Sequence, residues 1–200
     1  MLRGNAGSNI LNGGAGNGSD TFIASLNDGN DAYSGGGGND TYDLSLTTAG
    51  ATVMTGSSSS AETGTDLLTS IENIIGSQGN DSITVNGGNN LLDGQGGADS
   101  INGGAGNDTL DGGAGDDTLI GGTGNDTLLG GVGNDVFTYT FGDGVDSVDG
   151  GDDLDTLNIM GTATANTLDV IWDGAHLTNF EGGTLTSVET VVDLGAARIR

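Results

Sequence analysis

From Gly76 to Thr138 the chain reads GSQGNDSIT, VNGGNNLLD, GQGGADSIN, GGAGNDTLD, GGAGDDTLI, GGTGNDTLL and GGVGNDVFT, seven nonapeptides with no insertion. Position four is glycine in all seven. Position six is Asp81, Asp99, Asp108, Asp117, Asp126 and Asp135, with Asn90 in the one remaining copy. Position eight is apolar every time: Ile83, Leu92, Ile101, Leu110, Leu119, Leu128 and Phe137. Self-similarity at a fixed short period is the signature of a repeat architecture.

An apolar position eight between small or polar neighbours reads as a three-residue strand with one side chain turned inward. The six residues before it are Gly, Asn and Asp, which favour turns and positive φ. One nonapeptide is thus a turn plus a strand, half of a flattened coil, and two close a winding of eighteen residues. Strands then stack in parallel, with odd and even repeats on two faces. No helical period separates the strands, so a βαβ sheet is excluded. The expected fold is all-β, a parallel β-roll or β-solenoid.

The register continues less cleanly on both sides. Gly4–Asn12 (GNAGSNILN) and Gly13 onward form one block, and Leu26–Ser34 (LNDGNDAYS) and Gly35–Asp43 (GGGGNDTYD) another. After the insertion of Tyr139 and Thr140, Phe141–Asp149 (FGDGVDSVD) and Gly150–Asn158 (GGDDLDTLN) resume the count. Two stretches break it. One holds the serine tract Ser57–Ser60, and both contain the same motif, Leu68-Thr69-Ser70-Ile71-Glu72 and Leu185-Thr186-Ser187-Val188-Glu189. The organisation read from this is repeat blocks over 1–43, a β connector over 44–75, the main roll over 76–158 and a β-rich connector or cap over 159–200. The cap reading rests on Trp172, Phe180 and the apolar alternation around them. The first copy of the Leu-Thr-Ser motif leads into an array, the second stands near the end of the chain, and the N-terminus starts inside a block, which suggests a segment, or the truncated end, of a longer repetitive protein with further domains.

Composition narrows the function. The 200 residues carry 24 Asp, 4 Glu and 3 Arg, for a formal net charge of −25, with 42 Gly and no Pro, Cys or Lys. Absent cysteine excludes disulfides, thiolate zinc sites and a cysteine nucleophile. Three cations give no footprint for nucleic acid and none for an anionic membrane. No apolar run reaches the roughly 18 residues of a membrane span, and no signal peptide opens the chain. Solvating acidic tails lean on Glu, whereas Asp beside Gly and Asn is turn chemistry.

One Leu or Ile per nine residues is little apolar burial to set against ordering nine backbones. Each winding also brings carboxylates into line. Stacked strands lie about 4.8 Å apart, so position-six residues eighteen apart are neighbours. Asp81, Asp99, Asp117 and Asp135 form one column, and Asn90, Asp108 and Asp126 the other. Calcium–oxygen distances of about 2.3–2.6 Å are half the stacking distance, so calcium fits between windings. Magnesium, at about 2.0–2.1 Å, would need the windings closer. Turns that offer only oxygen disfavour transition metals.

GGxGxDxUx, with U apolar, resembles the calcium-binding nonapeptide of the RTX (repeats-in-toxin) family. GGAGNDTLD, GGAGDDTLI and GGTGNDTLL are near-perfect copies, and LLTSIENIIGSQGNDSIT resembles the lead-in to such blocks. The resemblance implies a β-roll holding several calcium ions, type I secretion machinery as a partner, an extracellular or cell-surface location and folding on calcium there. Family ligands are the position-six carboxylates with carbonyls at positions two and four. These map to Gly104 and Gly106 with Asp108, Gly113 and Gly115 with Asp117, and Gly122 and Gly124 with Asp126. Asp40, Asp146 and Asp155 are the corresponding ligands of the flanking blocks. Ser77, Asn86 and Gln95 replace the second Gly, and Asn90 the Asp, so sites near the start of the array are expected to be weaker.

Rival readings have less behind them. A flexible linker does not keep position eight apolar, and a metal-free coil leaves its carboxylate columns unneutralised. An EF-hand lacks its closing Glu. His176 is the lone histidine, so no HExxH zinc site exists, and no GxSxG elbow or P-loop occurs. The chain is therefore not read as an enzyme. The three function classes are a calcium-binding folding module, a calcium-stiffened segment of an adhesin or surface layer, and the accessory region of a secreted hydrolase. An ice-binding variant has only the short ranks Thr109 with Thr127 and Ser100 with Thr118.

Overall fold

A computed structural model describes residues 1–54, 56–60, 63–85 and 87–160, together with the strands Thr167–Leu168, Ile171–Trp172, Leu177–Phe180, Gly183–Thr186, Thr190–Asp193 and Arg198–Ile199; for 57–59 and the strands after 160 the backbone alone is described. Asn86, His176 and the side chains of Trp172 and Phe180 lie outside the described residues, so the cap reading built on those side chains does too.

The described chain is a parallel β-solenoid, without a helix among the described residues. Gly and Asp turn the chain every nine residues, and each three-residue strand of the regular array buries only its middle side chain. Ser82–Thr84 and Ser100–Asn102, for example, expose the first residue and bury Ile83 and Ile101. Strands alternate between two eleven-stranded sheets. Through the regular array the pairing step is eighteen residues: Ile83 faces Ile101, Ile101 faces Leu119, Leu92 faces Leu110 and Leu110 faces Leu128. Where Tyr139 and Thr140 are inserted the step becomes twenty, so Leu128 meets Val148 and Phe137 meets Leu157. The core is the column of position-eight side chains between the sheets, with Ile83, Leu92, Leu110, Leu119 and Phe137 all at 0 % exposure.

The N-terminal blocks belong to the same two sheets. Thr21–Ile23 stacks on Thr41–Asp43, and that strand on Asn73–Ile75. The stretch after Asp43 makes an excursion within the other sheet. Ala51–Met54 turns back antiparallel into Ser57–Ser60, the serine tract, which turns again into Gly64–Thr69. Gly64–Thr69 stacks on Ala32–Ser34, and Ala51–Met54 on Ser82–Thr84. One sheet therefore gains three strands where the other gains one. Beyond Met160, Gly183–Thr186 and Thr190–Asp193 add in parallel to Ser147–Asp152 and Thr156–Met160, so the second copy of the Leu-Thr-Ser motif opens on a strand of the stack.

Candidate metal centres

The position-six carboxylates lie inside the turns rather than on a wet edge. Asp99, Asp108, Asp117, Asp126 and Asp135 are at most 3 % exposed. Each Oδ1 accepts the backbone N–H of the position-six residue one winding earlier. On one side Asp81 N–H donates to Asp99, Asp99 to Asp117, Asp117 to Asp135 and Asp135 to Asp155, at 2.6–2.8 Å. On the other side Asn90 donates to Asp108, Asp108 to Asp126 and Asp126 to Asp146, at 2.8–3.0 Å. The two columns read from spacing are thus two hydrogen-bonded ladders, and Asp155 and Asp146 continue them. Asp40 holds the same place in the Gly35–Asp43 repeat, accepting Asp20 N–H at 2.8 Å.

The second oxygen is different. Oδ2 of Asp40, Asp99, Asp108, Asp117, Asp126 and Asp135 is buried with no hydrogen-bond donor. A buried acceptor without a partner is costly, and a charged one more so. Burial is the largest reason that Asp99, Asp108, Asp117, Asp126 and Asp135 titrate high. Asp99 is pushed up to about 7, and Asp108, Asp117, Asp135 and Asp146 to about 6. Neighbouring ladder carboxylates add to the rise, and the backbone N–H bond opposes it. Asp81 and Asp126 are raised for the same leading reason.

Carbonyl oxygens converge on the same places. A Cβ on Gly103, the position-one residue before Asp108, would lie 2.5 Å from Asp108 Oδ2 and 2.8 Å from the carbonyl oxygen of Gly121, one winding on. Only glycine leaves that space to two facing acceptors. The same pairing of an Asp Oδ2 with the next winding's position-one carbonyl recurs at Gly94 and Gly112. Position-one carbonyls were absent from the candidates read from sequence. The candidates at positions two and four, Gly104, Gly106, Gly113, Gly115, Gly122 and Gly124, all have positive φ, from 86° to 136°. The Gly104 carbonyl accepts Thr123 N–H at 2.8 Å, and the Gly106 carbonyl faces the Cα of Gly124, where a side chain would not fit.

No three His, Cys, Asp or Glu side chains gather around one point among the described residues. A cation here would be held by one or two carboxylates completed by backbone carbonyls, an oxygen-only set that suits a hard ion such as calcium. The unpartnered Oδ2 atoms beside carbonyl oxygens are the feature that fits it.

The structure also shows ladder members that the nonapeptide count missed. Asp31 N–H donates to Asp66, 35 residues on, and Asp40 N–H to Glu72 Oε2, 32 residues on. Asp66 and Glu72 therefore occupy position six of irregular windings. The signal was present as an acid two residues before the buried Leu68 and Ile74. Asn90 keeps the ladder geometry through its N–H, while its Nδ2 donates to the Glu72 carbonyl.

The family model of the RTX calcium-binding nonapeptide repeat matches in four copies, over residues 1–24, 18–42, 75–110 and 102–137, together more than half of the chain. No curated protein matches this sequence. The repeats of that family are a structural calcium-binding module rather than a catalytic one. With its nonapeptides wound as a β-solenoid and its position-six carboxylates aligned in two buried columns, the chain belongs to the RTX calcium-binding nonapeptide-repeat family.

Proposed function

We propose that the chain is a calcium-binding β-roll module of a secreted protein, which stays unfolded at low calcium and folds on calcium outside the cell. The observation that carries this reading is the recurrence, every eighteen residues, of a buried Asp Oδ2 with no donor. Asp99, Asp117 and Asp135 on one side and Asp108 and Asp126 on the other are the proposed ligand carboxylates. Asp40, Asp146 and Asp155 extend the set, and Asp81 and Asn90 stand at its start. Glycine carbonyls at positions one, two and four complete the oxygen shell.

A site that does not exist in the unfolded chain contributes its binding energy to folding. Extracellular calcium modules bind at about 10⁻⁴–10⁻³ M, so micromolar cytosolic calcium leaves them empty. A chain that is unfolded before export and folds afterwards suits passage through type I secretion machinery. Whether the module serves an adhesin, a surface layer or a secreted hydrolase depends on the domains joined to it.

The test is far-ultraviolet circular dichroism in chelator, in millimolar calcium and in millimolar magnesium. Calcium is expected to raise β-structure cooperatively, and magnesium to do so weakly. Identical spectra in chelator and calcium would refute the proposal.

A further inference from the structure

On the side of the roll that carries Asp31, Asp66, Asp81, Asp99, Asp117 and Asp135, the ladder carboxylates divide into two kinds, and the division follows position along the chain. Around the excursion, three have both oxygens held by protein donors. Asp31 accepts Asn9 N–H at Oδ1 (2.7 Å) and the Tyr33 hydroxyl at Oδ2 (3.2 Å). Asp66 accepts Asp31 N–H at Oδ1 (2.9 Å) and the Tyr42 hydroxyl at Oδ2 (2.5 Å). Asp81 accepts Ala51 N–H and the Ser77 hydroxyl at Oδ1, and Ser77 N–H at Oδ2. From Asp99 onward on this side, Asp99, Asp117 and Asp135 keep an Oδ2 without a donor, as do Asp108 and Asp126 opposite. Three other buried side-chain oxygens in the N-terminal part lack a partner: Asp28 Oδ1, Thr63 Oγ1 and, on the opposite ladder, Asp40 Oδ2; none belongs to the Asp31–Asp66–Asp81 series.

The core changes at the same place. The regular array fills its core with the position-eight side chain of each nonapeptide, aliphatic as far as Leu128. The N-terminal windings instead bury a cluster of three aromatic side chains, Phe22, Tyr33 and Tyr42, each at 0 % exposure. Their rings meet edge-on, with centroids 5.7 Å apart for Phe22 and Tyr33 and 5.2 Å for Tyr33 and Tyr42. Aromatic rings bring far more buried area and add edge-to-face attraction. The same two tyrosines thus fill the core with their rings and give their O–H protons to carboxylates that would otherwise be bare.

We infer that residues 21–85 form a segment of the roll that is ordered without metal, and that the calcium-requiring windings, from Asp99 on, stack upon it. At Asp31, Asp66 and Asp81, tyrosine and serine donors take the place that a cation takes further along. Asp81, through Ser77, is the junction. Serine at position two, where the repeats from Gly103 on have glycine, supplies both the N–H and the hydroxyl that hold Asp81. The calcium half of this inference rests on the function proposed above.

Hydrogen exchange on the full chain, followed by mass spectrometry of peptides, separates the two. In chelator, peptides from 21–85 should be protected while peptides from 91–158 exchange as unfolded chain; calcium should then protect 91–158. Tyr42→Phe keeps the ring but removes the donor to Asp66. It is expected to lower protection of 21–85 in chelator by roughly tenfold or more, the effect of stranding a buried charged acceptor. The inference is overturned if wild-type 21–85 exchanges in chelator as fast as 91–158, or if Tyr42→Phe is protected like wild type. If 21–85 is protected but calcium leaves 91–158 unprotected, the calcium half falls together with the proposed function, and the metal-independent segment stands.

Discussion

Leu119→Ala and Asp117→Asn, made in separate chains, distinguish core from ligand by how each cost responds to calcium. Leu119 is at 0 % exposure, with Ile101 and Phe137 in register below and above it. Those neighbours are tied into the parallel ladder, so the site collapses poorly. The expected loss is in the upper part of the roughly 2–5 kcal/mol range for such truncations. No ion fills that cavity, so the loss should be constant across calcium concentrations. Asp117→Asn keeps an Oδ1 to accept Asp99 N–H, now 2.7 Å away, and keeps the volume, while removing the charge. If Asp117 serves one site with Asp99 and another with Asp135, two ions bind less well. Stability conferred by a bound ion grows by about 1.4 kcal/mol per tenfold rise in free ligand. The Asp117→Asn chain should therefore fall behind by up to about 2.7 kcal/mol over each tenfold rise in calcium. Denaturant titrations at several calcium concentrations read both slopes. A constant offset for Asp117→Asn, or a widening one for Leu119→Ala, would refute the assignment of inside and ligand positions.

Two further outcomes are expected. In chelator, any roll that forms should be more stable at acid pH: Asp99 titrates at about 7 and Asp117 and Asp135 at about 6, above their unfolded value of 3.8, so their contribution is full below that value and is lost as pH rises through 6 to 7. In calcium the dependence should reverse, because protons compete with the ion; thermal melts at two pH values with and without chelator check both signs. Asn90→Asp should bind calcium more tightly by titration calorimetry but be less stable without it. It adds a buried charge next to Asp108 and removes the Nδ2 bond to the Glu72 carbonyl.

The regular part of the fold was legible because two independent constraints share one period. Gly and Asp set the turn, and a single apolar residue sets the inward face, so the pairing of Ile83 with Ile101 follows from counting eighteen. The columns were legible for the same reason. The irregular windings were not, because Asp66 lies 35 residues from Asp31 and Glu72 lies 32 from Asp40, across an excursion whose length has no period. Tyr33 and Tyr42 fall at position eight of LNDGNDAYS and GGGGNDTYD, and both lie in the core. That their hydroxyls reach Asp31 and Asp66 depends on how far a ring extends across the core, and spacing alone carries no such information. The place of the position-one carbonyls depends likewise on the close approach of windings at Gly103.

The carboxylate ladder has a direction. Every position-six rung runs from a backbone N–H in one winding to a carboxylate in the winding that follows: Asp99 leans on Asp117, and Asp117 on Asp135. Lesions are therefore displaced from their cause. Removing the carboxylate of Asp117 altogether strands an amide at Asp99, eighteen residues upstream, while the amide of Asp117 keeps its acceptor on Asp135. In a quasi-one-dimensional stack where each repeat touches only its neighbours, that asymmetry makes damage readable as a vector: local loosening should surface on the N-terminal side of the altered residue, one winding away from it.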